Sequence, residues 1–551
     1  MIIAQKEKEL EKKLKDIQKK ETERKAEELA KKVGLPYVDL TILPIQREAL
    51  GAVEENEAKA ANLAPIKRSG KSLKVAALNP DNEKTKNLIK KLRQAGFDVE
   101  IYIASQRSIS HALSFYQGGP KTEETKLGQL VLGSEKANRI EKEIKNLSDL
   151  KNKVSKIATT EMLETLFAGA LSVRASDIHF EPEEEGVRLR FRIDGILQDI
   201  FDLKKNDYPS ILNRIKLTAG LKINIHDAPQ DGRFTLKKEE ADIEVRVSSL
   251  PGAYGESIVM RLLDPRTVKK DLEELGLREE PLEEVKKQLK KTTGAILTTG
   301  PTGSGKTTTL YAFINFVNKP GVKIITIEDP IEYHIEGIPQ TQVEPEKGYN
   351  FSNGLRSIVR QDPDAILVGE IRDSETAEIA MHAALTGHLV FSTLHTNDAA
   401  GTIPRLIDMG IKPQIIAPAV NLAMAQRLVR KLCQECREKA KATAEEAKKI
   451  EEGLKNLPQK VKKPEIKNGI EFFKAAGCEK CNSTGYKSRV GIFEIFIIDE
   501  ELEKLILKSP AINEIRDLVI KKGMVTIQQD AYLKILDGIT DLKEVERVLG
   551  E

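Results

Sequence analysis

Residues 294–317 read GAILTTGPTGSGKTTTLYAFINFV, and their reading decides the fold. Gly294 to Gly300 is a short apolar run with the length of a buried strand, a glycine-rich turn follows, and the apolar stretch after Thr307 has the character of a helix. Strand, glycine loop and helix form the setting in which G-x-x-x-x-G-K-[ST] holds phosphates. Gly300-Pro301-Thr302-Gly303-Ser304-Gly305-Lys306-Thr307 fits that pattern at every position, with Thr308 continuing into the helix. Glycines let the backbone turn its N–H groups toward an anion, and the helix N-terminus adds positive potential. Lys306 is placed for the β- and γ-phosphates of ATP, and the Thr307 hydroxyl for Mg²⁺.

Three further buried runs lie downstream: KIITIEDP (Lys323–Pro330), DAILVGE (Asp364–Glu370) and GHLVFSTLH (Gly387–His395). Helical segments separate them, which predicts a mainly parallel sheet with helices on both faces and ligands at the carboxyl ends of its strands. Two acidic groups end such strands. Glu370 follows AILVG, and Glu328-Asp329-Pro330-Ile331-Glu332 follows KIITI, so both are expected beside the phosphate loop as candidates for the metal and for attacking water. His388 and His395 flank VFSTL at opposite ends of one strand, so they cannot both touch one phosphate. From Asp499 onward the pattern is helical.

Upstream, VRLRFRID (Val187–Asp194), DIEVRVSSL (Asp242–Leu250) and SIVMRLL (Ser257–Leu263) alternate apolar residues with polar ones, as a half-buried sheet does. Arg188, Arg190, Arg192, Arg246 and Arg261 fall on these runs, with few lysines nearby, which suggests a surface for phosphate or carboxylate. Nearer the N-terminus, KVAALNP (Lys74–Pro80) and VEIYIA (Val99–Ala104) bracket a helical pattern, giving a small α/β domain. Residues 4–32 are rich in Glu, Lys and Ala, as in a solvated helix.

Cys433-x-x-Cys436 and Cys478-x-x-Cys481 are two knuckles of a four-thiolate Zn²⁺ site, structural because four thiolates leave no open position. The long insertion between them reads as a charged helix on an excursion.

The chain has 551 residues, enough for three or four domains, and 88 Lys+Arg against 85 Asp+Glu. Balanced charge and 5% aromatic residues argue against a nucleic-acid partner. No run approaches the length of a membrane span, and the N-terminus lacks a signal-peptide core, so a cytoplasmic location is expected.

GPTGSGKTTTLY, IEDPIEY, RQDPDAILVGEIRD and TGHLVFSTLHTNDA together resemble the secretion ATPase superfamily that powers type II secretion and type IV pili. There they are the Walker A motif, Asp box, Walker B motif and His box. ASDIHFEP, RFRIDG, APQDGRF and LPGAYGESIVMRLL look like that family's N2 domain, and LAKKVGLPYVDL like its N1 domain. The resemblance implies a RecA-like ATPase domain preceded by a PAS-like α+β N2 domain and a small α/β N1 domain, with a zinc-binding insertion and a helical C-terminus. The corresponding limits are 1–27 for a charged arm, 28–117 for N1, 118–150 for a linker and 151–265 for N2. A second linker at 266–274 leads to the ATPase domain at 275–551, with a zinc module at 430–490 and C-terminal helices at 497–551. It further implies that Glu370 is the Walker B glutamate, that Glu332 polarises the attacking water, and that His388 and His395 contact phosphate or relay nucleotide state. Arg192, Arg246 and Arg261 would meet the γ-phosphate when N2 closes, in a homo-hexamer acting on an inner-membrane platform protein. Presence of both N1 and the zinc module favours assembly over retraction; the function expected is pilus assembly, with type II secretion, which shares every one of these motifs, as the alternative and a DNA motor further off. Some members bind cyclic di-GMP through N-terminal Arg-Leu-Gly and Leu-Leu motifs; the first 30 residues here are Lys/Glu-rich instead.

Overall fold

The computed structural model describes residues 22–550, apart from 41–42, 44, 118–127, 133–142, 145, 155–158, 239–241, 269 and 462–469. Most of the expected arm, residues 1–21, lies outside the described residues. The chain divides between Glu124 and Thr125 into two compact units.

The first unit is a three-stranded sheet, β1 (Leu63–Ser69), β2 (Ser72–Ala77) and β3 (Asp98–Ile103), with β1–β2 antiparallel and β2–β3 parallel. The helix Glu83–Gln94 makes the crossover, capped by the Asn82 side chain accepting from Lys84 N–H, and buries Leu88, Ile89 and Leu92. This is the strand–helix–strand unit expected between Lys74 and Ala104.

The second unit begins with a seven-stranded sheet in the order β4-β8-β9-β10-β5-β6-β7. Its strands are β4 (Gln129–Val131), β5 (Ala175–Pro182), β6 (Gly186–Ile193), β7 (Ile196–Lys204), β8 (Gln230–Lys237), β9 (Ile243–Gly252) and β10 (Gly255–Leu263). Val187, Leu189, Phe191 and Ile193 of β6 point into the core, so Arg188, Arg190 and Arg192 take the other face, as period two requires. The expected linker at 118–150 is corrected here. β4 pairs in parallel with β8, and Leu130, Leu132, Leu147 and Leu150 are buried in the same core, so the described parts of this stretch pack with the sheet. The second linker is corrected likewise, since Leu272 and Leu275 are buried in the next core.

That core surrounds β11 (Gly294–Thr299), β12 (Ile324–Glu328), β13 (Gln340–Gln342), β14 (Ala365–Val368), β15 (Leu389–Leu394), β16 (Val420–Leu432) and β19 (Tyr486–Ile497), ordered β13-β12-β14-β15-β11-β16-β19. All pairings are parallel except β16–β19. Every residue of β11, β12, β14 and β15 is buried, the mark of a sheet covered on both faces. A two-stranded ribbon, β17 (Glu438–Lys441) and β18 (Glu471–Lys474), and a helix, Ala444–Gly453, form the excursion between β16 and β19. Helices at Glu500–Ile506, Ile512–Lys521, Ile527–Leu536 and Leu542–Leu549 close the chain. Among the described residues no helix is long and apolar enough to cross a membrane.

Candidate active site

The phosphate loop leaves β11 at Thr299 and enters the helix Lys306–Val317 through Gly305. Gly300, Gly303 and Gly305 have φ of +145°, +79° and +92°, conformations that side chains resist. Gly300 is also pressed against β16: a Cβ there would stand 2.5 Å from the Gln426 carbonyl oxygen. Thr299 Oγ1 anchors the loop's start to the Leu394 and Thr396 carbonyls, both at 3.0 Å. Lys306 Nζ donates to the Gly300 and Pro301 carbonyls at 2.7 and 3.2 Å. Burial lowers its pKa, and Glu370 works against that shift. Ser304 Oγ is buried without a hydrogen-bond partner, so the loop holds a donor that a phosphate oxygen would satisfy. Thr307 is exposed in the helix's first turn. These residues fit ATP with Mg²⁺.

Strand register places the other groups. Thr299 pairs with Leu394, so His395 emerges at the loop edge, while Gly294 pairs with Leu389, putting His388 at the far edge. The strand between separates them by ~20 Å. The expectation that His388 serves the phosphate site is therefore corrected; its Nδ1 lies 3.0 Å from the Ala383 carbonyl instead. His395 Nε2 lies 3.4 Å from Glu370 Oε2, and Arg372 Nη2 is 2.6 Å from Glu370 Oε1. Glu370 is 13% exposed, the charged centre of this rim.

Glu328 is a second correction. It is buried, with Tyr311 O–H donating to Oε2, and Thr326 O–H (2.6 Å) and Gln340 Nε2 (3.1 Å) donating to Oε1. Being inside the strand it faces the core, whereas Asp329 is exposed and Glu332 half-buried beyond the strand's end. β12 is three strands from β11, so Glu332 shares the loop's edge at a lateral distance of ~14 Å.

Glu332 faces the upstream sheet. Arg246 Nη1 lies 3.3 Å from Glu332 Oε2, and Arg246 Nη2 donates to the Ile331 carbonyl. The register lines up one row across five strands: Arg233 opposite Arg246, Arg246 opposite Arg261, Arg261 opposite Asp177, and Asp177 opposite Arg192. Asp177 holds Arg261 at 2.9 Å and Arg192 at 3.4 Å. Arg233, Arg246 and Arg261, with Pro330 and Gln342, line a cleft of about 580 Å³ between sheet and Asp box. Arg188 and Arg190 pair instead with Glu183 and Glu181. Arg233 escaped the sequence reading, although the alternation of QDGRFTL puts it on the face opposite the buried Phe234 and Leu236.

The four cysteines converge, their sulfurs all within 4.8 Å of one another. Cys433–Cys478, Cys436–Cys481 and Cys478–Cys481 sulfur distances are 3.9, 3.7 and 3.7 Å. Four thiolates at ~2.3 Å from one Zn²⁺ stand about 3.8 Å apart, so the set fits the ion. Burial raises the Cys481 thiol, but Cys478 and Gly485 N–H groups outweigh it and bring the pKa to about 7. The donors favour the thiolate at Cys481, whereas burial raises the Cys433 and Cys436 thiols, the latter to about 12.

Residues 152–547 match the model of the type II/IV secretion system protein family, and residues 33–123 that of the MshEN domain. The chain is 37% identical over 522 residues to the type IV pilus assembly ATPase PilB of Myxococcus xanthus, covering 94% of this chain and 89% of that one. It is 38% identical over 472 residues to the type II secretion system ATPase E of Vibrio cholerae, covering 83% and 91%. Among solved structures, the Legionella pneumophila ATPase DotB superposes with a TM-score of 0.51 at 22% identity, over 71% of this chain and 96% of that one, a likeness of fold.

Proposed function

This chain belongs to the type II/IV secretion system protein family and is an ATPase, and from that premise we propose that it is a hexameric cytoplasmic motor for type IV pilus assembly, acting at the inner face of the membrane through a platform protein. The observation that carries a motor reading is the arginine row. Like charges placed directly opposite on neighbouring strands destabilise a sheet by up to ~1 kcal/mol per pair. Yet Arg233, Arg246 and Arg261 stand in register along the cleft that faces the Asp box. Asp177, Glu244 and Glu332 offset part of that cost, and a row of guanidiniums held this way is suited to a polyphosphate that arrives and leaves.

Lys306 and the loop amides bind and orient the phosphates. Thr307 and Glu370 would hold Mg²⁺, which when bound neutralises charge on the transferring phosphoryl group. Glu332 orients the attacking water, and His395 holds Glu370 in place. Arg246, now shared with Glu332 and Ile331, and its neighbours Arg233 and Arg261 draw the upstream sheet toward the γ-phosphate; loss of that phosphate releases it. Arg192 supports the row through Asp177. In a ring, alternate closure and release would move a docked partner. Zn²⁺ on Cys433, Cys436, Cys478 and Cys481 would hold the excursion closed.

Relatives named for pilus assembly and for type II secretion match at similar identity, so type II secretion is the second reading. Deleting the gene and scoring surface pili and secreted protein tests the proposal: lost pili with normal secretion is expected, and the converse overturns it. Native mass spectrometry tests the ring, with a hexamer expected with ATP and a lasting monomer contradicting it.

A further inference from the structure

Strand β16 backs the phosphate loop with two residues that lie outside every loop motif. Gln426 Oε1 accepts from the buried Thr309 hydroxyl at 2.8 Å, in the second turn of the loop's helix. The main chain of Gln426 closes on Gly300, and its Nε2 would stand 2.8 Å from a Cβ at Gly305, so both ends of the loop rest on this one residue. Its neighbour Arg427 spreads two nitrogens between two carbonyls: Nη1 donates to Gln426 at 3.0 Å, and Nη2 to Asn397 at 2.8 Å. Arg427 Nη1 would also meet a Cβ at Gly300 at 3.0 Å.

Asn397 follows His395 and Thr396, and Thr396 is tied to Thr299 by side-chain hydroxyls 2.6 Å apart. One guanidinium therefore ties strand β16, on which the start of the phosphate loop rests, to the segment that carries His395 to Glu370. No carboxylate forms an ion pair with Arg427 among the described residues, and burial lowers its pKa. A half-buried cation spent on two diverging carbonyls is placed for geometry, since a planar fork spreads its donors over separate nitrogens whereas the donors of an ammonium all share one.

We infer that Arg427, supported by Gln426, is a positioning residue of the ATPase site: it holds the His395 segment in register with the phosphate loop. It acts through the peptide carbonyls and not on the nucleotide. Loss of register moves His395 and Glu370 relative to Lys306, and a shift of ~1 Å at such a site lowers turnover by about a hundredfold. Nucleotide binding, which rests on loop amides and Lys306, is left nearly intact. This rests on the loop being the ATP site.

The test uses the full chain with Arg427→Lys and Arg427→Gln, reading ATP turnover, ATP dissociation constant and melting temperature together. Both variants are expected to lose turnover by about tenfold to a hundredfold with the dissociation constant within about twofold and melting within about 2 °C of wild type. Wild-type turnover in Arg427→Lys overturns the inference, because charge alone would then suffice. A dissociation constant that weakens as much as turnover falls assigns Arg427 to phosphate binding, and a large fall in melting temperature assigns it to stability; either outcome also overturns it. Full turnover in a Lys306→Ala control would instead remove the ATP-site assignment on which the inference rests.

Discussion

Two glycines of one loop provide a controlled comparison. Alanine at Gly300 would place its Cβ 2.5 Å from the Gln426 carbonyl oxygen and 2.8 Å from Ser304 Oγ, at φ +145°. Alanine at Gly303 meets nothing within 4 Å and suffers only φ +79°. A left-handed conformation costs an alanine ~1–2 kcal/mol. At Gly300 the backbone strain is ~1–3 kcal/mol, and moving the contact to an ordinary distance takes about 1 Å against a buried sheet strand, adding ~1–3 kcal/mol. The loop must then lift from β16, so the amides leave the phosphates. Taking ~3–4 kcal/mol for Gly300→Ala against ~1 kcal/mol for Gly303→Ala, ATP should bind roughly two hundredfold to a thousandfold more weakly in the first and about fivefold in the second. A fluorescent ATP analogue titrated into each full-length variant measures the difference. Binding by Gly300→Ala within twofold of wild type, or weaker binding by Gly303→Ala than by Gly300→Ala, would refute the account of the loop resting on β16.

His388→Ala should leave turnover within about twofold, while His395→Ala lowers it by at least about tenfold; equal losses would contradict the placement of the two histidines at opposite sheet edges. Elemental analysis should find one zinc per chain, lost in Cys481→Ser, with the excursion between residues 433 and 486 becoming sensitive to protease. A zinc-free protein with a protected excursion counts against the site. Glu544 is fully buried and bonded by Arg430 at 2.7 Å and Arg547 at 2.6 Å. Burial alone would raise its pKa, but the two guanidiniums outweigh burial and lower it. A lowered carboxyl pKa adds stability above its unfolded value near 4.5, lost as pH falls through the folded value. The melting temperatures of wild type and Glu544→Gln should therefore differ at pH 7 and converge in acid; a constant gap would show that the pair's charge is not what stabilises the helix Leu542–Leu549.

The sequence shows those parts whose chemistry is local. Three closely spaced glycines, Lys306 and Thr307 define a phosphate loop over eight residues, and two C-x-x-C pairs define a metal site wherever the chain brings them together. Groups whose role depends on register were harder to read. His388 and His395 share one strand, and only the pairing of β15 with β11 tells which end carries the loop. Glu328 and Glu332 are four residues apart, and the strand's end between them sends one to the core and the other to the cleft. Arg233 could have been found by carrying period two along β8. Arg427 could not, because its two carbonyls belong to segments that are neighbours only in space. The stretch 129–150 read as linker because Gln-Leu-Val-Leu is too short to signal a strand without its partner β8.

The central claim is that the loop, Glu370 and the arginine row hydrolyse ATP as one site. Steady-state phosphate release by the full-length chain, with ATP binding measured in parallel, tests it most directly for wild type, Glu370→Gln and Arg246→Gln. The account predicts that both variants bind ATP within a few fold of wild type and lose turnover by about a hundredfold or more. Undiminished phosphate release by Glu370→Gln, or by Arg246→Gln, would contradict it.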